Sequence, residues 1–236
     1  MGKQMSAQIA GFALLVLSAA SQVSGQSVAA KLQETREFNS QSTTLRGQLI
    51  DFAQSYGIPM GLELVAGNER PVKPIRAQND TAINVLRKII QHQPGYDFDS
   101  SDGVVNVYSI NLVNDYKNFL NLRLRRYEIT DQNLFGAKYY LQLAISQTLH
   151  PSQSYGGGYG GMGLNNNLHV VKISFSGENL TVRQILNRLI SIHDGALWIV
   201  QLNPAKTMKG DRFYTQTLAG TGVSGPEFYW EFVPLR

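Results

Sequence analysis

The sequence predicts an α+β fold of two tandem small modules, each a small mixed sheet with two helices packed on it. The first observation is an internal repeat, because segment 79–90 recurs as segment 179–190. The second is that both copies have the apolar spacing of an amphipathic helix behind a polar cap. The third is that strand-forming runs stand before and after each copy. Four positions are identical in the two copies: Asn79 and Asn179, Thr81 and Thr181, Leu86 and Leu186, and Ile90 and Ile190.

The first module is assigned to residues 30–110 and opens with a short strand followed by a helix. Ser and Thr residues at 42–44 offer hydroxyl caps for this helix. Gly57 ends the helix, because glycine readily takes the positive φ that a helix C-terminus needs. Residues 58–65 then predict a strand, and 71–76 predict a short edge strand, because their two prolines lack N–H donors. The apolar residues at helical spacing are Leu45, Leu49, Phe52, Ala53 and Tyr56.

The first repeat copy and a hairpin complete this module. Asp80 or Thr81 is expected to cap the repeat helix, whose apolar stripe faces the sheet. Residues 96–108 then predict a hairpin with its turn at Asp102-Gly103, because Asp-Gly between strand-forming residues favours a two-residue turn.

A junction at 111–121 leads to the second module, residues 122–236. Its first strand, 122–129, alternates between apolar and charged residues, as a half-buried strand does. The two faces of this strand carry Leu122 and Leu124 on one side and Arg123 and Arg125 on the other.

The rest of the second module repeats the order of the first. Asp131 or Asn133 is expected to cap a helix that runs to Leu149, and residues 168–175 predict the strand before the second repeat copy. Thr181 and Gln184 have the spacing of a capping box. Further strands are predicted at 196–202 and, at the C-terminus, at 227–233.

Residues 1–25 are predicted to be a secretory signal peptide. A short polar start with Lys3 precedes an apolar run at 9–20. Residues 23–25 before Gln26 fit a signal-peptidase site, and residues 18–20 are a second option. The apolar run is shorter than the roughly 20 residues that a membrane-spanning helix needs. We therefore expect cleavage, a mature chain without a transmembrane segment, and a periplasmic or extracellular location.

The composition limits the chemistry that the chain can support. The 236 residues include no cysteine, which excludes disulfides, thiolate metal ligands and lipid attachment at cysteine. Lys and Arg number 21 against 17 Asp and Glu, for a net charge of +4, and no dense basic cluster is present. Nucleic acid is therefore not expected as a partner. The small positive charge leaves contact with anionic envelope polymers open.

A glycine-rich loop at 154–163 contains Tyr155, Tyr159 and Met162. It includes a formal G-x-G-x-x-G pattern, but a dinucleotide-binding loop must follow a strand and open a helix, and this one follows a predicted helix. The loop is interpreted as a mobile linker. An alternative interpretation is that its two tyrosines and its methionine contact a partner.

No residue type in the chain forms a recognisable catalytic or metal-binding pattern. The four histidines lack metal-ligand spacing, and a nucleophile-elbow pattern is absent. His92 and His193 follow the two repeat helices and are expected to interact with C-terminal carbonyls. Catalytic residues, cofactors and metals are therefore not expected. An acidic group in the hairpin leaves acid–base hydrolysis or Ca²⁺ binding open, although turn chemistry accounts for its last member. This group consists of Asp97, Asp99 and Asp102.

Two phrases carry a family resemblance: residues 44–58, and residues 80–90 running into 103–107. They resemble the short N-terminal domain shared by secretins and TonB-dependent receptors, and the resemblance extends more weakly to 122–202. It implies two helices that cross small sheets, and binding to neighbouring subunits, inner-membrane partners or anti-sigma regulators in the periplasm. It implies no catalytic residues. No barrel or receptor plug sequence follows the modules, so a secretin or a receptor is not expected.

The sequence thus predicts an exported, non-enzymatic protein–protein interaction or assembly module of the bacterial cell envelope, whose partner is an envelope protein or a second copy. The alternative is a peptidoglycan- or polysaccharide-binding module, for which the many tyrosines, two tryptophans and the basic strand argue. A hydrolase that uses the acidic group is less favoured. The predicted partner-contact residues are Tyr155, Tyr159, Met162, Arg123 and Arg125, and the tryptophans are Trp198 and Trp230.

Overall fold

A computed structural model describes residues 26–65, 70–116, 118–149, 151, 170–193, 195–202 and 229–235. The fold is α+β, as predicted. The helices are α1 (Val28–Leu32), α2 (Leu45–Tyr56), α3 (Ala82–Gln91), α4 (Leu134–Leu149) and α5 (Val182–His193), with a 3-10 turn at Phe119–Asn121. The strands are β1 (Thr35–Ser40), β2 (Met60–Val65), β3 (Ile75–Thr81), β4 (Tyr96–Ser101), β5 (Val104–Ser109), β6 (Arg123–Gln132), β7 (Ile173–Thr181), β8 (Ala196–Leu202) and β9 (Tyr229–Pro234).

Helix α2 begins and ends where its sequence predicts. The Thr44 hydroxyl accepts a hydrogen bond from the Gly47 N–H at 3.1 Å, which satisfies one free donor of the first turn. Gly57 closes the helix in the left-handed conformation, with φ at 61°. A Cβ atom at Gly47 would lie 1.8 Å from the Ser42 hydroxyl oxygen, so a larger residue there would force Ser42 to move. The buried face carries Leu45, Leu49, Phe52, Ala53 and Tyr56, as expected from their spacing.

The two repeat helices enter in the same way. Asn79 and Asn179 both adopt a left-handed conformation, with φ at 53° and 51°, which asparagine tolerates better than most residues. The first helical N–H of each copy donates to the residue that precedes the paired strand: Ala82 to the Glu34 carbonyl and Val182 to the Leu122 carbonyl. The repeated asparagine therefore specifies the turn into the helix and does not act as the cap itself.

The caps of the two repeat helices differ. Thr181 and Gln184 form the predicted capping box, in which the Gln184 N–H donates to the Thr181 hydroxyl and the Thr181 N–H donates to the Gln184 side chain. Thr81 occupies the same position in the first copy, but its side chain makes no capping bond. There the Asp80 carboxylate accepts the Thr81 N–H at 3.0 Å.

Each half of the chain contains a two-stranded antiparallel ribbon. In the first half β1 pairs with β3, with Thr35 opposite Thr81; in the second half β6 pairs with β7, with Arg123 opposite Thr181. The predicted edge strand at 71–76 is displaced, because β3 starts only at Ile75, after both prolines. The hairpin of β4 and β5 is confirmed, and its turn residues Asp102 and Gly103 both have positive φ.

A five-stranded sheet in the order β4-β5-β2-β8-β9 combines strands from both halves. Strand β2 runs parallel to β5 on one side and to β8 on the other. The sequence predicts a separate sheet for each module. In the structure one five-stranded sheet instead runs through both halves. The junction at 111–121 therefore connects two halves that share a sheet.

The shared sheet separates two apolar cores. Leu197 and Ile199 of β8 point into the core of the first half, which contains α2 and α3. Trp198 and Val200 point into the core of the second half, which contains α4 and α5. Successive side chains of a strand face opposite sides, so both faces of this sheet are covered. The near-continuous burial of β2 and β8 follows from this position.

Among the residues that the structure describes, no helix combines the length and the apolar character that crossing a membrane requires.

Candidate functional site

The predicted basic contact residues lie on β6. Arg123 and Arg125 are exposed, and Leu124 between them is buried, as the alternation predicts. Arg123 donates to the Asn179 carbonyl of β7 at 2.8 Å. Arg126 is also exposed and pairs with Glu128 at 2.5 Å, an exposed ion pair that contributes little to stability. Strand β6 therefore presents consecutive guanidinium groups to solvent.

The outer edge of β6 is unpaired within the described part of the chain. Strand β6 belongs to a two-stranded ribbon and pairs only with β7. The Arg125 side chain makes no hydrogen bond or ion pair with any residue that the structure describes. The strand thus offers main-chain groups and a free guanidinium at the same edge.

The glycine-rich loop at 154–163 lies outside the described residues, and with it the predicted contact residues Tyr155, Tyr159 and Met162. The structure brings Arg123 and Arg125 together on one strand.

The acidic group of the hairpin is held by local hydrogen bonds. The Asp99 carboxylate accepts from Asn106 at 3.2 Å and from Ser101 at 3.3 Å. The Asp97 carboxylate accepts the N–H of Phe98 at 2.8 Å. Asp102 occupies the turn. No three His, Asp or Glu side chains among the described residues are grouped as a metal site would require.

Asp97 of β4 lies directly opposite Tyr108 of β5. Asp97, Asp99 and Tyr108 therefore face the same side of the sheet. Burial raises the pKa of the Tyr108 hydroxyl, and the carboxylates of Asp99 and Asp97 raise that pKa further. Arg183 acts in the opposite direction and lowers the pKa of Tyr108.

Two histidines can be compared with their predicted roles. A ring nitrogen of His92 lies 2.7 Å from the Lys88 carbonyl, which confirms an interaction with the C-terminal turn of α3. His193 is buried at the end of α5. His150 and His169 lie outside the described residues.

A buried ion pair between the two halves was not predicted from the sequence. The Glu63 side chain on β2 is 1% exposed, and its carboxylate accepts a hydrogen bond from Arg183 of α5 at 2.7 Å. Asn118 donates to the other carboxylate oxygen at 2.5 Å. Burial raises the pKa of Glu63, while the charge and hydrogen bond of Arg183 and the hydrogen bond of Asn118 act to lower it.

The same ion pair fixes the junction between the halves. Arg183 also donates to the Asn121 side-chain oxygen at 2.6 Å. Asn121 in turn donates to the carbonyls of Val113 and Asp115 at 2.8 and 2.9 Å. The polar groups buried between the halves are therefore used to hold β2, α5 and the junction in one arrangement.

Trp198 is not available at the surface as a sugar-binding residue. It is 1% exposed, and its indole N–H donates to Asn187 of α5 at 2.9 Å. The ring lies over Gly61 of β2, where a Cβ atom would be 2.2 Å from a ring carbon. Trp198 therefore gives no support to a polysaccharide-binding module.

Comparison of the chain with protein-family models, with curated proteins and with solved structures found no match in any of the three. The resemblance to the secretin and TonB-dependent receptor N-terminal domain stays a prediction from the sequence.

Proposed function

We propose that this protein is an exported, non-enzymatic interaction or assembly module of the bacterial cell envelope. The observation that carries the proposal is the distribution of polar groups. Those buried between the halves hold the fold together, whereas two strands with an unpaired edge each expose a pair of like charges, β4 with Asp97 and Asp99 and β6 with Arg123 and Arg125. Such edges are a common route to partner binding by strand addition.

The location of the protein in the envelope rests on the predicted signal peptide at 1–25. The internal repeat supports the assembly role, because two similar modules fused through one sheet provide a rigid platform with several strand edges. A rigid platform loses little conformational entropy when a partner binds.

Capture of a partner from an envelope extract tests this proposal. The mature chain is used as bait beside a variant with Arg123→Glu and Arg125→Glu. A matched control carries Arg76→Glu and Arg87→Glu, which reverse two exposed arginines of the first half. We expect the wild type and the control to retain the same protein, and the β6 variant to lose it. Retention of no protein, together with a monomeric mass by light scattering, would contradict the proposal.

The second candidate is contact with an anionic cell-wall polymer, which the exposed arginines of β6 favour. Sedimentation with purified cell wall distinguishes the two. Polymer binding is supported if the wild type sediments with the cell wall at low salt and the β6 variant does not. It is contradicted if the wild type fails to sediment with the cell wall at low salt.

A further inference from the structure

Two edge strands of this molecule carry opposite charges at the same spacing. Strand β4 has Asp97 and Asp99 two residues apart, and strand β6 has Arg123 and Arg125 two residues apart. Residues two apart on a strand face the same side. Each strand therefore presents a matched pair of like charges along one face.

The outer edge of β4 lacks two of the features that prevent strand pairing. It is the last strand of the five-stranded sheet and pairs with β5 along its whole length, from Tyr96 opposite Ser109 to Ser101 opposite Val104. It contains no lysine and no proline, which commonly block exposed edges. Its Phe98 N–H is held by the Asp97 carboxylate of the same strand. An incoming guanidinium would compete with this N–H for that carboxylate.

The charges on β4 are positioned before any partner arrives. Asn106, which is 2% exposed, donates to Asp99 at 3.2 Å and thereby fixes the direction of the carboxylate. On β6, Arg125 has no hydrogen-bond partner among the described residues, and Arg123 contacts only a main-chain carbonyl there. The acidic strand is thus pre-oriented and the basic strand is available.

We propose that β4 of one molecule adds to β6 of a second copy, so that Asp97 and Asp99 face Arg123 and Arg125. This inference rests on the proposed assembly function and names the partner. A symmetric contact of β4 with β4 would bring carboxylates together, and β6 with β6 would bring arginines together, both of which are unfavourable. The heterologous contact leaves one β4 and one β6 free, so it propagates into a chain or closes into a ring.

Charge reversal tests the contact with the mature protein. One variant carries Asp97→Lys and Asp99→Lys, and the other carries Arg123→Glu and Arg125→Glu. Sedimentation velocity at low salt should show association of the wild type, and each variant alone should bind itself at least about tenfold more weakly. An equimolar mixture of the two variants should associate again, because each reversed strand then meets its complement. The control with Arg76→Glu and Arg87→Glu should associate like the wild type.

Salt provides an independent measurement on the unmodified chain. Association through exposed charges should weaken as ionic strength rises, since the Debye length falls to about 3 Å at 1 M salt. If circular dichroism shows that the β4 variant is unfolded, the β6 variant and the salt dependence decide the question.

Three results would overturn the proposal: a wild type that stays monomeric at all concentrations, variants that associate unchanged, or a mixture that fails to restore association. A monomeric wild type that retains an envelope protein through Asp97 and Asp99 would assign β4 to a foreign basic segment. That result would support the proposed interaction function and contradict the proposed contact between two copies. A monomer that retains no partner contradicts both.

Discussion

Replacement of Arg183 by methionine should destabilise the protein strongly. The substitution removes the hydrogen bonds from Arg183 to Glu63 and Asn121, and leaves a carboxylate that is 1% exposed with Asn118 as its remaining hydrogen-bond partner. Removing one member of a buried ion pair costs about 3–5 kcal/mol. Single domains have about 5–15 kcal/mol of stability, so this loss is a large part of the total. Urea unfolding followed by tryptophan fluorescence, to which buried Trp198 contributes, measures the loss of stability.

The Arg183→Met variant should also lose stability as the pH rises. Burial already raises the pKa of Glu63 in the folded protein, and Arg183 is the main group that opposes this. Below the unfolded pKa of about 4.3 both states keep the proton. Above it the unfolded state releases the proton while the folded state retains it, so stability falls by up to about 1.4 kcal/mol per pH unit until the folded pKa is reached. Removing Arg183 raises the folded pKa of Glu63 further, so the pH range over which stability falls extends to higher pH.

The double variant Glu63→Gln, Arg183→Met is the matched control. A neutral amide keeps the shape of Glu63 and its contact with Asn118, so much of the lost stability and all of the added pH dependence should be reversed. The reasoning is refuted if Arg183→Met unfolds within about 1 kcal/mol of the wild type, or if its stability is the same at pH 5 and pH 8.

Three further changes test the packing. Gly61→Ala should cost about 1–3 kcal/mol or more in urea unfolding, because the new Cβ would lie 2.2 Å from the Trp198 ring, whereas Gly195→Ala, with contacts of 3.6 Å or more, should cost less. Asn179→Ala should cost about 1 kcal/mol and Asn179→Gly almost nothing, because φ there is positive; equal losses would contradict a role for the left-handed turn. The fragment 26–116 should aggregate or associate when produced alone, because it exposes the unpaired edge of β2 and one face of the sheet. A soluble, cooperatively folding monomer would disprove this.

Local structure was predicted well because local residues determine it. Thr44 and Gly57 set the two ends of α2, and Asp102-Gly103 sets the hairpin turn, through contacts that span a few residues. Identical residues reveal the repeat in the sequence. They do not reveal what its asparagine does in the structure. Asn179 adopts a left-handed backbone conformation two residues before Thr181, which the repeated letters do not reveal.

The shared sheet and its ion pair could not be predicted, because both depend on contacts between distant parts of the chain. Residues 58–65 indicated a strand, but nothing local states that β8 is its neighbour. One signal was present: Glu63 is a single charge within an otherwise apolar strand, and a buried charge needs a partner. Its partner Arg183 stands where the first copy of the repeat has Ile83, so the divergence between the copies marks the position.

The basic strand was predicted only in part. Arg123 and Arg125 are exposed and Leu124 is buried, but Arg126 is exposed as well, so the alternation breaks after Arg125. The opposing strand contains the left-handed Asn179 near this point. The alternation of residues in β6 cannot reveal an irregular backbone conformation in β7, the strand with which it pairs.

The shared sheet ties the folding of the first half to the arrival of the last strands. Gly61 and Trp198 are neighbours across the sheet, yet they stand more than half the chain apart. Until β8 is available, β2 keeps an open edge, and the first core lacks Leu197 and Ile199. Contacts between residues that are far apart in the sequence form slowly. Partly folded chains that lack these contacts expose apolar surface and unpaired strand edges. The complete first core should therefore form only after β8 has been synthesised and has paired with β2.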